Sequence, residues 1–292
     1  MTCSFTLLPC LDSQAMADHS RSALDISPQR AAELGRSAMS ATDNGSFLTA
    51  EGLRVDWAGL VRRAVEGVVS IAPGAPLPST GRINDRETTV QISNEGTLAS
   101  ALRLRNAGKR PLALNFANGV SPGGGFLQGA LAQEECLCRS SALYRTLAGD
   151  RMYSFHRERP LPDSSPWAIL SPRVPVFRQE DGTTLDAPWL LDFISCAAPY
   201  APKLDGNEAA ELLRIRIHRV LAIAQAWGYE TLVLGAWGCG AFGNDPARAA
   251  ADFRSALGNE FRNVFSDVVF AIADWSQNRR YLGPFRDAFS KL

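Results

Sequence analysis

The feature that most constrains the fold is an alternation of strand and helix patterns that begins near residue 88. A strand pattern covers 88–93, a helix pattern 97–106 and a second strand pattern 112–117. Elements in this order form a sheet whose strands are connected through helices. The sequence therefore predicts an α/β domain with a mixed central sheet flanked by helices.

The alternation continues to the end of the chain. Strand patterns at 167–170 and 189–196 are separated by a polar turn around Glu180, which predicts a hairpin or a long excursion. Asn244 and Asp245 precede Pro246, the usual order at a helix start. The further predicted elements are a helix carrying Leu213, Ile217, Leu221 and Ala224, a strand at 231–234, a helix carrying Ala250, Phe253, Leu257 and Phe261, and a strand at 268–273.

The first third of the chain has a different character. Residues 1–26 are mixed and lack periodicity, so we expect a loosely ordered leader without a functional role. Helix patterns at 28–39 and 57–68 predict that residues 27–85 form a helical flank packed on the core. We expect residues 86–292 to form the main α/β domain.

Charge and composition limit the partners. The chain has 292 residues, and 46% of them are hydrophobic, which is enough for a buried core. Thirty basic residues balance thirty acidic ones, so no overall field attracts a polyanion. We therefore expect local phosphate binding and no sequence-specific binding of nucleic acid.

Cysteines and histidines form no recognisable metal or disulfide pattern. The six cysteines lack framework spacing, which favours free thiols in a reducing compartment. No apolar run approaches the roughly 20 residues of a membrane span. We expect a cytoplasmic protein that needs no membrane, metal or cofactor.

A glycine loop followed by two glutamates is the first candidate site. The strand at 112–117 continues into Asn118 and then Gly123-Gly124-Gly125, and the segment Gln133-Glu134-Glu135 opens a helix. Consecutive glycines let a ligand lie against the main chain. The alternative is a plain glycine turn before a helix whose acidic first turn complements its dipole.

A second glycine-rich loop joins the strand at 231–234 to the helix at Pro246. Free N–H groups and the positive end of a helix suit a diphosphate. Gly238, Gly240 and Gly243 also match the G-x-G-x-x-G fingerprint of an NAD-dependent dehydrogenase. That fingerprint belongs to the first strand of a dinucleotide fold, and here no second half-domain follows Asp274. The dehydrogenase is therefore the weaker alternative.

At these loops the chain resembles the microbial-type poly(ADP-ribose) glycohydrolases, whose catalytic core is a macrodomain. The resemblance spans roughly residues 30–289 and implies a macrodomain-like fold with ADP-ribose bound between the two loops. It rests on NFAN at 115–118, PGGG at 122–125, GALAQEE at 129–135, LCR at 137–139, SALY at 141–144 and GCGAFGNDP at 238–246.

The resemblance also implies roles for individual residues. Glu135 is the catalytic acid/base, and Glu134 holds a ribose hydroxyl. Asn118 lies near the scissile ribose, Trp275 stacks on adenine, and Glu95 contacts the adenine edge. The remaining residues expected to contact ADP-ribose are Gly123, Gly124, Gly125, Gln133, Gly238, Cys239, Gly240, Ala241, Phe242 and Gly243.

The expected reaction hydrolyses the ribose–ribose bond of poly(ADP-ribose) or of ADP-ribosylated proteins and releases ADP-ribose. It needs a proton for the leaving hydroxyl and a base for the attacking water, and one glutamate can serve both steps. Successive helical residues point about 100° apart, so Glu134 and Glu135 divide the work. The alternatives are a macrodomain that only binds ADP-ribose and a mono-ADP-ribosyl hydrolase. The glutamate pair argues against simple binding.

Overall fold

The computed structural model describes residues 5–79, 87–159 and 164–290 of the chain. Strands β1–β10 lie within these ranges. Their bounds are β1 Phe5–Leu7, β2 Ser46–Leu48, β3 Arg54–Asp56, β4 Val69–Ile71, β5 Thr88–Ser93, β6 Pro111–Phe116, β7 Ala168–Arg178, β8 Thr184–Cys196, β9 Thr231–Leu234 and β10 Asp267–Ala271.

Helices α1–α10 connect and cover these strands. No described helix combines the length and the apolar character that a bilayer crossing requires. The helical bounds are α1 Gln14–Leu24, α2 Pro28–Asn44, α3 Ala58–Glu66, α4 Thr97–Asn106, α5 Gln133–Ser140, α6 Leu143–Leu147, α7 Arg151–Arg157, α8 Gly206–Ala226, α9 Pro246–Gly258 and α10 Leu282–Ser290.

The central sheet is mixed, as the sequence predicts. Its order is β1-β5-β10-β9-β6-β8-β7-β4, while β2 and β3 form a separate antiparallel pair. In this order each of the first six strands, from β1 through β8, is parallel to the next one in that set. Strand β7 runs antiparallel to both of its neighbours, β8 and β4. Because β6 and β9 are adjacent parallel strands, the glycine loops that follow them emerge side by side.

Alternation along the strands divides the core into two layers. Leu112 and Leu114 of β6 pack with α8, α9 and α10, whereas Ala113 faces the helices on the other side of the sheet. Successive strand residues point to opposite faces, so strands covered on both faces are apolar throughout. Each fully buried leucine contributes about 1.5–3 kcal/mol through burial. The sheet is consequently a rigid base for its loops.

Residues 5–26 of the amino-terminal leader form ordered elements, which the sequence analysis did not predict. Its β1 extends the sheet by pairing with β5, and its α1 begins at Ser13, whose hydroxyl accepts the N–H of Met16. Residues Ala17 and Ser20 are buried in α1, and most of its other residues are exposed, which explains the weak periodicity.

The helical flank also contributes to the sheet, because β4 pairs with β7. The boundary that the sequence predicts between residues 85 and 86 lies outside the described residues. Elsewhere, α4 and β9 have the predicted bounds, and β7 and β8 form the predicted hairpin. Helix α9 ends at Gly258, so Phe261 packs on the core from beyond the helix.

Candidate active site

The two glycine loops border a cleft of about 610 Å³ at the carboxyl ends of the parallel strands. Its wall contains both glutamates of α5 and residues from the loop after β9. The candidate residues from the sequence that line it are Glu95, Asn118, Gln133, Glu134, Glu135, Gly238, Gly240, Ala241, Phe242 and Trp275.

Glu134 is bound on both carboxylate oxygens. Its Oε2 accepts the N–H of Asn118 at 2.7 Å, and its Oε1 accepts Nδ2 of Asn115 at 3.2 Å. Burial raises the pKa of Glu134 to about 8, with a further increase from the charge of Glu135 and a partial offset from these hydrogen bonds. The carboxyl group therefore holds the loop after β6 against α5.

Glu135 has one oxygen available. Its side chain is only 8% exposed, and its Oε1 accepts the N–H of Gly125 at 3.0 Å. Its Oε2 is buried and has no hydrogen-bond partner among the described residues. Since Glu135 lines the cleft, this oxygen can exchange a proton with a ligand there.

Gly124 makes this position of Glu135 possible. Its φ of +57° lies in the left-handed region, and a Cβ at this residue would approach Oε1 of Glu135 to 2.2 Å. The glycine triplet thus lets the main chain bind the carboxylate. Gly123, Gly124 and Gly125 themselves lie outside the cleft wall and act on it through the glutamates.

The second loop is fixed by Asn244, whose Nδ2 donates to the carbonyls of Pro199 at 2.9 Å and Gly238 at 3.0 Å. Gly238 has a φ of +76°, and a Cβ there would meet Ala198 at 2.6 Å. At Gly240, in contrast, a Cβ would meet nothing within 4 Å. Gly238 is therefore needed by the loop itself, while Gly240 leaves open space at the cleft.

Two residues expected to contact the ligand through this loop lie outside the cleft wall. The N–H of Cys239 donates to Ala236 at 3.1 Å, and the N–H of Gly243 donates to Gly240 at 3.0 Å. Both groups stabilise turns within the loop. Burial also raises the pKa of the Cys239 thiol to about 12.

Gln133 lines the cleft, but its amide is committed to the protein. Its Nε2 donates to the carbonyl of Leu114 at 2.8 Å and to Oγ1 of Thr97 at 3.0 Å. Its Oε1 accepts the N–H of Phe116 at 2.9 Å. These bonds join α5 to β6 and α4, so Gln133 orients the helix that carries the glutamates.

The opposite end of the cleft is aromatic and acidic. The indole of Trp275 is 38% exposed and is available for stacking. Glu95 forms an ion pair with Arg103 at 2.5 Å. Its carboxylate therefore reaches the cleft already bound to a cation.

Sequence reasoning missed several wall residues. Leu24 comes from the leader, Tyr281 from the segment before α10, and Glu180 from the hairpin turn. Glu180 accepts the N–H of Leu98 at 2.9 Å at the start of α4, and burial raises its pKa to about 7. All three are distant in sequence from the glycine loops. The glutamate in the polar turn between two strand patterns is a sequence signal for Glu180, whereas Leu24 and Tyr281 have no such signal.

Helix α7 supports the loop that carries Asn118. Nδ1 of His156 donates to the carbonyl of Gly119 at 2.8 Å, and the hydroxyl of Ser165 lies 2.7 Å from Nε2. The adjacent Arg157 donates from Nη1 to the carbonyl of Val120 at 2.7 Å. His156 is fully buried, and its ring bonds hold this loop in place.

The contacts of Asp274, the acidic residue that a dinucleotide site would use, argue against the dehydrogenase alternative. Its Oδ2 accepts the N–H groups of Tyr281 at 2.8 Å and Leu282 at 3.0 Å, and its Oδ1 accepts both N–H and hydroxyl of Ser276. The carboxylate is thus occupied by its own turn and is not placed for a ribose. No group of metal-binding side chains occurs in the described part of the chain.

Comparison with known proteins gives the same assignment as the geometry. The family model described as "Microbial-type PARG, catalytic domain" matches residues 35–179, where PARG is poly(ADP-ribose) glycohydrolase. No match was found among curated proteins.

Solved structures match over most of the chain. The glycohydrolase from Thermomonospora curvata is 36% identical, with a TM-score of 0.84, and the match covers 89% of this chain and 100% of that one. The Deinococcus radiodurans enzyme in complex with ADP-ribose is 37% identical, with a TM-score of 0.72 and coverage of 82% and 100%. The Thermomonospora curvata enzyme bound to the inhibitor ADP-HPD is 36% identical, with a TM-score of 0.81 and coverage of 89% and 99%. The chain therefore belongs to the family of microbial-type poly(ADP-ribose) glycohydrolases.

Proposed function

We propose that the protein hydrolyses the ribose–ribose bond of poly(ADP-ribose) and releases ADP-ribose, with Glu135 as its general acid/base. The buried Oε2 of Glu135, which lacks a hydrogen-bond partner among the described residues and lines the cleft, is the observation that carries this proposal. Glu134 differs from it because both of its oxygens are bound by protein groups.

The chemistry requires two proton transfers through one carboxyl group. Protonated Glu135 donates its proton to the oxygen of the leaving ribose as the glycosidic C–O bond breaks. The carboxylate then removes a proton from water, whose oxygen forms the new bond to the sugar carbon. This restores the acid, and the products are ADP-ribose and the shortened chain.

Glu134 and Asn118 position the sugar. The pKa of Glu134 of about 8 leaves its carboxyl group largely protonated at neutral pH, so it can donate to a ribose hydroxyl as well as accept. Asn118 lines the cleft beside it, and its N–H is held by the same carboxyl group. We assign these two residues to orienting the ribose.

The shape of the cleft indicates where the diphosphate and the adenine of ADP-ribose bind. The open space at Gly240 lets a diphosphate approach the main chain, and Ala241 and Phe242 continue this wall. The exposed indole of Trp275 then provides a stacking surface for adenine. A solved Deinococcus radiodurans relative contains ADP-ribose, which supports this ligand here.

We also propose that the catalytic core is related to macrodomains and acts in the cytoplasm. The mixed sheet with a ligand cleft at its carboxyl edge supports the first proposal. The described cysteines are all free thiols, which fits a reducing compartment and supports the second.

The direct test incubates the purified protein separately with poly(ADP-ribose) and with mono-ADP-ribosylated protein, and identifies the products by mass spectrometry. We expect ADP-ribose from the polymer. Release from the mono-modified protein alone would identify a mono-ADP-ribosyl hydrolase. Binding of ADP-ribose without any release would identify a binding domain.

A further inference from the structure

A second groove of about 730 Å³ lies between α9 and α10. Although the whole chain is neutral, this groove concentrates basic side chains. Four arginines and one carboxylate, that of Asp287, belong to its wall. The four arginines are Arg254, Arg279, Arg280 and Arg286.

Two of these arginines are available to an anion. Arg280 is exposed, forms no salt bridge with a described residue, and lies with its guanidinium 4.5 Å above the ring of Tyr281. Arg286 pairs at 2.9 Å with Asp287, its exposed sequence neighbour, and such exposed pairs contribute little energy. Arg279 is different, because Asp12 holds its guanidinium at 3.0 Å.

The groove opens at the rim of the active-site cleft. Strands β9 and β10 are parallel and are joined through α9, so α9 runs back along the sheet from the carboxyl edge. The residues just before α10 are bound to Asp274, which follows β10, so this helix begins at the same edge. Both helices thus direct their amino-terminal ends, which favour anions, towards the rim.

A single turn separates the groove from the cleft. Tyr281 lines the cleft, whereas Arg280 lines the groove. Asp274 accepts the N–H of Tyr281, and the hydroxyl of Ser276 accepts the N–H of Arg280 at 2.9 Å. The wall of the cleft and the wall of the groove therefore meet at the consecutive residues Tyr281 and Arg280.

The proposed substrate is a chain of this kind, because each ADP-ribose unit is linked through its riboses and carries a diphosphate. A guanidinium group donates a fork of hydrogen bonds that matches phosphate oxygens. Asn278 in the same wall can hydrogen-bond to a sugar hydroxyl.

We propose that the groove between α9 and α10 binds, through Arg280 and Arg286, the diphosphate of the ADP-ribose unit attached to the adenosine ribose of the unit in the cleft, so that the enzyme can hold an internal unit of the polymer as well as a terminal one. This inference rests on the proposed function, in which one unit occupies the cleft with its adenine beside Trp275. The groove distinguishes a polymer from free ADP-ribose, which is too short to occupy both places.

The test uses the double variant Arg280→Gln/Arg286→Gln in an inactive Glu135→Gln background. Arg54→Gln/Arg62→Gln is the matched control, because it removes two exposed arginines from the amino-terminal flank. Three ligands are titrated: ADP-ribose, poly(ADP-ribose) of several units, and single-stranded DNA with the same number of phosphates.

We expect the groove variant to keep its Kd for ADP-ribose within about twofold and to raise its Kd for the polymer at least about tenfold. The salt dependence of polymer binding should also fall, because two phosphate contacts are lost. The control should bind all three ligands as the Glu135→Gln protein does. Retained binding of ADP-ribose shows that the variant is folded.

Equal affinity of the groove variant and its control for the polymer would overturn the proposal. An equal loss of polymer and DNA binding would also overturn it, because the surface would then be a general polyanion surface. Failure of the proposed function has a different signature, since the wild-type protein would then release no ADP-ribose from polymer, whatever the arginine variants bind.

Discussion

Glu134 and Glu135 are neighbours in the first turn of α5, yet their carboxyl groups meet different donors. Glu134 is bound by Asn115 and Asn118, whereas Glu135 receives only the N–H of Gly125 on one oxygen. The angle of about 100° between successive helical residues produces this difference. The two neighbouring side chains therefore make different contacts, and their proposed division of labour depends on this difference.

Gly240 provides a residue-scale test of the diphosphate position. A Cβ here meets no protein atom within 4 Å, so Gly240→Val should fold normally while its side chain enters the cleft. We expect ADP-ribose binding to weaken by more than about tenfold, measured by calorimetry, because the main chain can no longer approach the phosphates.

The control is Gly206→Val at the start of α8, where a Cβ also meets nothing within 4 Å. It should bind ADP-ribose like the wild type. Normal binding by a folded Gly240→Val protein would place the diphosphate elsewhere.

At the level of helices and loops, the position of the loop after β6, which carries Asn118, depends on α7. His156 and Arg157 donate to the consecutive carbonyls of Gly119 and Val120, just after Asn118. The loop after β6 is thus held from α5 by Glu134 and from α7 by His156. The sequence gives no sign of this support, because α7 is separated from the loop by more than a full helix.

We expect His156→Ala to lower both stability and turnover. It leaves the Gly119 carbonyl and the Ser165 hydroxyl without their ring partner, at a cost of about 1–3 kcal/mol for each buried group. Turnover should fall about tenfold because the loop holding Asn118 loses its orientation. Thermal melting and steady-state assays on poly(ADP-ribose) measure the two effects.

His218→Ala is the control, since His218 lies on α8, pairs with Glu260 after α9, and does not belong to the wall of the cleft. A His156→Ala protein that melts earlier but turns over as fast as this control would mean that α7 only stabilises the fold.

At the scale of the whole molecule, Glu134 links stability to pH. Its pKa is raised from 4.5 in the unfolded chain to about 8 in the folded protein. The unfolded state therefore releases this proton first as the pH rises, and the folded state loses stability between these two values. Above about pH 8 the loss is complete.

The variant Glu134→Gln should remove this loss. Between pH 5 and pH 8 the Tm of the wild type should fall relative to that of the variant by about 5 °C or more, and the difference should then level off. The exposed Glu158→Gln is the control and should follow the wild type. A constant Tm difference between the wild type and Glu134→Gln from pH 5 to pH 8 would mean that burial does not raise the pKa of Glu134.

The sequence predicted the part of the molecule that local patterns determine. The α/β alternation, the two glycine loops and the helix that begins at Gln133 all follow from spacing within short segments. The ordering of β1 could not be predicted, because this short strand depends on long-range contacts, its pairing with β5 and the packing of Phe5 against Phe289. Leu24, Glu180 and Tyr281 reach the cleft through tertiary contacts, which no local pattern encodes.

Single-turnover hydrolysis of poly(ADP-ribose) by the Glu135→Gln variant measures whether Glu135 transfers the proton. The substitution keeps the volume of the side chain and its bond to Gly125, so ADP-ribose affinity should stay within a few-fold of the wild type. The rate of ADP-ribose release should fall by about 100-fold or more, because the amide cannot donate and recover a proton. If the variant binds ADP-ribose and releases it from polymer at the wild-type rate, Glu135 is not the group that transfers the proton.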